Sequence, residues 1–376
     1  MKKILHLYSG NLYGGVERLL VSLAKSREED QKFKITREFG LCFKGRLSQE
    51  LESVNAPIHL MGETHFRNPL SVLRTRSNLR KLLRDKSYDI VITHSCWPHA
   101  VFAPVVKKSK IVLINWVHDT LDKKEWLPQL AKLTQPNLVI ANSQHSALAA
   151  KSIFPQCPIE VLYHPLARPN QSNAAQLRSQ LRTEFKVPNG VKVIFQSSRL
   201  ERWKGHLVLL ESLARIRERQ DWVCWIAGGP QRQGEQQYFS DLKVEAMQRG
   251  LSSQVRFLGQ RSDIIELMFA ADIFCQPNIM PEPFGVAFIE ALYAGLPVVC
   301  SNSGGAAEII TADCGRLCEP SSSKDVARNL SSLLSDDVLR SQLSVSAPRR
   351  ADELCNPIRQ LGKFRAILEK IHQSRS

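Results

Sequence analysis

The chain has 376 residues, of which 43% are hydrophobic and 23% charged, and a formal net charge of +15. That length suits two domains of ordinary size better than one, and the composition is that of a core-forming globular chain, not a disordered or fibrous one. No apolar run is long enough to cross a bilayer, and nine scattered cysteines without paired spacing read as reduced thiols in a cytosolic protein, not as a disulfide framework.

The charge is uneven. Residues 1–170 carry 25 Lys and Arg against 14 Asp and Glu, whereas residues 171–376 carry 26 against 22. A basic first half suits an anionic membrane surface, a phosphorylated acceptor or nucleic acid; a solvated surface without further meaning explains it equally well. The opening MKKILHLYSG is basic and then apolar, but the apolar part is short and is broken by Asn11 and Gly14, so it reads as a first strand over Lys3–Tyr8. Gly10, Gly14 and Gly15 then form a loop before a helix whose apolar face is Val16, Leu19, Leu20 and Leu23. Strand, glycine loop and helix bring backbone N–H groups up to a phosphate. The glycine spacing is not G-x-G-x-x-G, and no acidic residue follows a second strand at the right place, which argues against a nicotinamide site. Glu17 reads as a first-turn carboxylate.

Apolar runs at Asp89–Thr93, Lys110–Val117 and Asn137–Ala141 alternate with helical segments, the pattern of a doubly wound parallel sheet. One such segment, Leu70–Lys86, sets Arg74, Arg76, Arg80, Lys81, Arg84 and Lys86 beside Leu73, Leu79, Leu82 and Leu83. It has the character of a membrane-surface helix but reads more simply as a helix packed on its own sheet. His118 follows a strand directly, at the edge where parallel sheets collect ligands, and Ser143 ends the next strand. From position alone, a strand-end histidine that hydrogen-bonds a loop is the better account of His118. His94, Cys96 and His99 match no zinc spacing and are read as loop residues.

Residues 155–176 are rich in Pro, Asn and Gln, with Pro165 and Pro169 interrupting any element, and mark the domain boundary. Strand-like runs resume at Lys192–Gln196, Trp222–Ala227, Gln254–Leu258 and Asp272–Gln276. Four loops then fall on the carboxyl edge of the second sheet: Arg199–Lys204, Gly228–Pro230, Gly259–Arg261 and Glu282–Glu290. Arg199 and Lys204 suit a diphosphate. In PEPFGVAFIEALYAGLPVV, the Pro-Phe-Gly bend leads into a helix, so Glu282 sits on the entering loop and Glu290 about one turn inside. The free N–H groups between them suit a phosphate, and the carboxylates suit sugar hydroxyls; carboxylates there also simply complement the helix dipole.

Taken together, GGVERLL, WVHD, SSRLERWKGH, AGGP and PEPFGVAFIEALYAGLPVV followed by GGAAEI resemble the retaining glycosyltransferases of family 4, the group 1 glycosyltransferases. The resemblance runs from Gly14 to Glu308 and implies an α/β fold of GT-B architecture, two Rossmann-like doubly wound domains facing across a cleft that closes on the substrates. The implied domains are residues 1–165 on the acceptor side, 166–355 for the nucleotide-sugar, and a helix within 356–376 that packs back on the first domain. It also implies roles. Gly14 and Gly15 would approach the donor phosphates, His118 would stand beside the donor sugar and support the transition state, and Arg199 and Lys204 would bind the diphosphate. Gly228 and Gly229 would line the donor, Glu282 would bond sugar hydroxyls, Phe284, Gly285 and Val286 would offer amides, and Glu290 would hold the ribose. The Gly-Gly-Pro turn and His164-Pro165 depart from the more frequent Gly-x-Gly-Pro and Asn-Gly forms. No cofactor and no metal are expected beyond a UDP- or GDP-sugar as substrate. The implied acceptor is a saccharide or lipid-linked sugar and the implied place is the cytoplasm, either free or peripheral on the inner face of the membrane; no nucleic-acid partner is expected. The competing readings are a basic, non-catalytic membrane- or polyanion-binding protein on the same scaffold, and a sugar-nucleotide epimerase.

Overall fold

A computed structural model of the chain describes residues 2–11, 14–26, 34–232 and 234–373; Leu12 and Tyr13 of the first glycine loop lie outside them. The chain divides into two compact units, Met1–Leu166 with Pro357–Ser376, and Ala167–Asn356.

The first unit is built on a seven-stranded, wholly parallel sheet with strand order β3-β2-β1-β4-β5-β6-β7. Its strands are β1 (Lys2–Tyr8), β2 (Ile35–Leu41), β3 (Ile58–Leu60), β4 (Ile90–His94), β5 (Val112–Val117), β6 (Leu138–Ala141) and β7 (Ile159–Val161). The central strands are buried on both faces, which is why they read as near-continuous apolar runs. One face packs Ile4, Ile92, Ile114 and Trp116 against Leu19 and Leu23 of the Gly15–Lys25 helix and against Leu361, Phe364 and Leu368 of the Pro357–Gln373 helix. That last helix is therefore part of the first unit's core.

On the other face, the Pro69–Asp85 helix buries Val72, Thr75 and Leu79. Its Arg76 turns inward and donates to the carbonyls of Ala100 and Val101 in the neighbouring Cys96–Lys108 helix. Pro104 in that helix has no N–H for the carbonyl four residues back, so Arg76 supplies the donor that Ala100 would otherwise lack.

The second unit repeats the plan with a six-stranded sheet in the order β10-β9-β8-β11-β12-β13. Its strands are β8 (Lys192–Ser197), β9 (Trp222–Ala227), β10 (Val255–Gly259), β11 (Ile273–Gln276), β12 (Val298–Ser301) and β13 (Gly315–Cys318), all parallel. In each sheet the strand order reverses once, between β1 and β4 and between β8 and β11. These switch points open crevices at the carboxyl ends of the strands, where ligands of such sheets bind. All nine cysteines are buried and unpaired. Among the described residues no helix is long and apolar enough to cross a membrane.

Candidate active site

The second unit's switch point carries most of the residues singled out from the sequence. β8 ends in Gln196 and Ser197, and the chain passes through Arg199 and a single 3₁₀ turn, Arg202–Lys204, before the His206–Ala214 helix. β11 ends in Gln276, and the loop runs through Asn278 to Glu282 and Phe284 before the Val286–Tyr293 helix. The two loops touch backbone to backbone. Gly205 adopts φ +74°, and a Cβ there would lie 1.8 Å from the Pro277 carbonyl oxygen, so no other residue allows this approach.

The contact brings Lys204 Nζ to 2.7 Å from Glu282 Oε2. Both side chains are almost buried, with 12% and 10% of their surfaces exposed. Lys204 also lies over the Trp203 ring, 3.9 Å from its centroid. Asn278 Nδ2 donates to the same Oε2 at 2.7 Å, and Gln276 Nε2 donates to Asn278 Oδ1. Buried Gln196 donates from Nε2 to the Lys204 carbonyl and so holds the lysine's main chain. Both bonds to the carboxylate use one oxygen, which leaves Oε1 for another donor. Glu282 is tied from the other side as well. The Gly305 N–H donates to its carbonyl at 2.7 Å, and Gly304 runs beside it so closely that a Cβ would lie 2.3 Å from that oxygen.

Arg199 is held elsewhere. Its guanidinium lies 3.1 Å from Glu201 Oε1, and Glu201 also takes Arg232 at 3.5 Å and the indole N–H of Trp203 at 2.9 Å. The two cations expected to meet one diphosphate are thus each balanced by a different carboxylate. Gly228 and Gly229 lie at the end of β9, where the Gly228 N–H donates to the Gly259 carbonyl. Phe284 is buried, Gly285 caps the Val286–Tyr293 helix in a left-handed conformation at φ +111°, Val286 is its first residue, and Glu290 is half-buried in the second turn. Gln196, Asn278, Gln276 and Glu201 were missed by the sequence reading. The available signal is a glutamine closing two apolar runs, VIFQ and IFCQ.

The first unit's switch point carries something different. His6 in β1, His94 at the end of β4, His118 just past β5 and His164 just past β7 form one row of imidazoles. His6 Nδ1 meets His94 Nε2 at 2.9 Å, His94 Nδ1 meets His118 Nε2 at 2.9 Å, and His118 Nδ1 meets His164 Nε2 at 3.3 Å. The His94 and His118 rings are stacked at 5.2 Å with an interplanar angle of 11°. All four are buried. Burial pushes His94 down to about 3 and His164 to about 4, and it holds His6 and His118 well below the usual 6.5, with neighbouring imidazoles adding to the effect.

His94, Cys96 and His99 are therefore not loop residues. His94 closes a buried strand, and the other two lie in the buried first turn of the Cys96–Lys108 helix. His99 points away from His94, its Nδ1 at Thr93 and its Nε2 donating to the Thr134 carbonyl, so the trio shares no centre. Gly14 and Gly15 start the Gly15–Lys25 helix, where Glu17 is buried and accepts a hydrogen bond from the Tyr8 hydroxyl at 2.8 Å.

Comparison with known proteins follows the same division. Residues 13–167 match the family described as Glycosyltransferase Family 4, and residues 178–350 match Glycosyl transferases group 1. The chain is 26% identical to a GDP-mannose-dependent monoacylated alpha-(1-6)-phosphatidylinositol monomannoside mannosyltransferase of Corynebacterium glutamicum, over 80% of this chain and 82% of that one. It is 33% identical to a phosphatidyl-myo-inositol mannosyltransferase of Mycobacterium leprae over 49% of each chain. Its structure superposes on that of Anabaena HepE, solved with UDP-glucose, with a TM-score of 0.86 at 25% identity, covering 98% of this chain and all of that one.

Proposed function

Because the chain belongs to the group 1 glycosyltransferases of family 4 and has their GT-B fold, we propose that it is a retaining hexosyltransferase that moves a sugar from a UDP-sugar to a saccharide or lipid-linked acceptor. The observation that carries this reading is the buried Lys204–Glu282 pair at the switch point of the second sheet. Glycosyl transfer develops positive charge on the sugar and negative charge on the departing diphosphate. In this reading Lys204 and Arg199, with the amides at Phe284, Gly285 and Val286, receive the diphosphate. Glu282 turns its free oxygen to a sugar hydroxyl, Glu290 takes the ribose, and Gly228 and Gly229 line the nucleotide. Gly14 and Gly15 are assigned to the donor phosphates and His118 to the transferring sugar.

The acceptor attacks from the face the diphosphate leaves, and a phosphate oxygen takes its proton. Both His118 ring nitrogens are engaged by other imidazoles, so His118 is not the base in this scheme. The uridine assignment is supported by the UDP-glucose bound to the similar HepE. It is tested by thermal shift. UDP at about 100 times its Kd should stabilise the protein by about 2.7 kcal/mol, and GDP should not. The reverse order would assign a guanosine donor, and no shift from either would remove the donor reading.

For a lipid-linked acceptor the exposed side of the Pro69–Asp85 helix is suited. It presents Leu70 and Leu73, 75% and 55% exposed, among Arg74, Arg80, Lys81 and Arg84. Nearby Trp126, 61% exposed, packs edge-on against Phe66 in the loop entering that helix. Apolar side chains at the head of a basic face match an anionic bilayer surface. The protein should sediment with phosphatidylglycerol vesicles, and Leu70→Asp with Leu73→Asp should abolish this. Absence of wild-type binding would overturn the membrane assignment.

A further inference from the structure

Two buried amides, Asn278 and Gln276, stand behind the Glu282 carboxylate, and the direction of their hydrogen bonds is fixed at both ends. At the site end Glu282 is paired with the Lys204 ammonium, and an ionised carboxylate only accepts. Asn278 must therefore turn its amide nitrogen to Oε2 and its oxygen away, towards Gln276. That oxygen lies 3.0 Å from the Gln276 side chain and needs a donor, so Gln276 presents Nε2 to it. At the far end the atom left over is Gln276 Oε1, which is buried and has no hydrogen-bond partner among the described residues. Turning Gln276 over would set oxygen against oxygen and bury an N–H without an acceptor, which is rarer than a carbonyl without a donor. Both ends give the same direction.

We propose that Asn278 is a positioning residue for the transferring sugar: its amide holds Glu282 Oε2 so that Oε1 is kept for a sugar hydroxyl, and Gln276 keeps that amide the right way round. The effect on the sugar rests on the reading that Glu282 bonds sugar hydroxyls; the hold on the carboxylate does not. Lys204 cannot supply the hold by itself. An ammonium is a compact charge on a flexible stem, and in the proposed reaction it also serves the diphosphate. An amide on a fixed main chain is planar and directional. The Asn278 N–H donates to the Gln276 carbonyl at 3.1 Å, and the Ile279 N–H donates to the Trp203 carbonyl at 2.9 Å, which ties this loop to the one carrying Lys204. The Asn278 side chain is thus not needed to join the two loops, and among the described residues it is committed to Glu282 and Gln276 alone. Gln276 is as firmly placed. In a strand alternate residues share a face, so Gln276 lies on the face of Phe274, which packs edge-on against Phe288 of the Val286–Tyr293 helix. A first carboxylate held by a second layer of buried amides keeps one geometry while its ligands change.

The test combines ¹⁵N–¹H spectroscopy of the whole protein, with labelled asparagine, and binding of UDP and UDP-glucose. In the wild type one Asn278 side-chain N–H should be displaced downfield and protected from solvent exchange, as a charge-assisted bond to a buried carboxylate requires. Gln276→Leu should weaken that protection. In Asn278→Leu, turnover followed as UDP release from UDP-glucose should fall by about 10²-fold. Binding of UDP-glucose should weaken about tenfold, whereas UDP alone, which lacks the sugar, should bind within about twofold of the wild type. In a Glu282→Ala background the same substitution should leave both affinities within about twofold, because Asn278 acts through the carboxylate. Rapidly exchanging Asn278 amide protons at ordinary shifts in the wild type overturn the proposal even if no variant folds. Equal weakening of UDP and UDP-glucose in Asn278→Leu also overturns it, as does an undiminished loss in the Glu282→Ala background. If UDP fails to stabilise the wild type, a protected Asn278 amide still supports the hold on Glu282, and the donor reading alone falls.

Discussion

On acidification from pH 7 to 5 the first unit should lose much of its stability while the second loses little. His6, His94, His99, His118 and His164 are buried in the first unit with their pKa values lowered, His99 to about 4. In the unfolded chain each would take up a proton as pH falls through about 6.5, whereas in the folded chain His99 and His164 stay neutral down to about 4 and His94 down to about 3, and burial holds His6 and His118 neutral well below 6.5. The unfolded state then binds more protons, so stability rises with pH, is complete above 6.5 and drains away below it. His94, His99 and His164 are each worth about 2 kcal/mol between pH 7 and 5. Two or three rings counted in full already approach half of a domain's stability of about 5–15 kcal/mol. The melting temperature should fall by about 10 °C or more.

Only His206 plays the same part in the second unit. Peptide-resolved hydrogen exchange should therefore show protection lost first in residues 2–166. The Glu38 carboxylate works in a lower window. Burial would raise its pKa, but donors from Tyr88, Lys3, His59 and Lys86 together hold it near 2, so its contribution fades only below about pH 4.5. Equal melting temperatures at pH 7 and 5 would refute the buried, neutral row.

The second large effect should come from Lys204→Ala. Removing the ammonium leaves Glu282 buried with only Asn278 to receive it, an uncompensated charge that costs about 3–5 kcal/mol when fully buried. It also removes a donor aimed at the leaving diphosphate, a loss of about 10²–10³-fold in turnover. The two consequences separate in the double variant Lys204→Met with Glu282→Gln. A neutral pair of similar volume should recover most of the melting temperature and none of the activity. Wild-type turnover in Lys204→Ala, or joint recovery of stability and turnover in the double variant, would show that the pair is structural.

Much of the fold is legible in the sequence because parallel strands buried on both faces leave continuous apolar runs, and the loops at their carboxyl ends are what follow each run. Side-chain partnerships are another matter. Lys204 meets Glu282 across 78 positions, and only the close approach at Gly205 shows that they pair and do not stand separately. Glu201 reads as one more charge in a basic loop until Arg199, Arg232 and Trp203 are seen around it. The histidine row is harder still. ILHLY, IVITH and INWVH place a histidine in the phase of the buried isoleucines, but strand order and register are needed to see that the phases coincide. From the sequence, a histidine after IVIT looks like the first polar residue past a strand, whereas His94 is the last buried residue of that strand.

The first unit takes its core from both ends of the chain. Leu361, Phe364 and Leu368 close over Ile4 and Trp116, yet they are made 200 residues or more after the sheet they cover is complete at Val161. During synthesis the second unit has all of its own residues before the first does. The opening sheet therefore waits, with part of one apolar face uncovered, until the Pro357–Gln373 helix emerges. At that stage, more than in the finished molecule, such a chain invites chaperones.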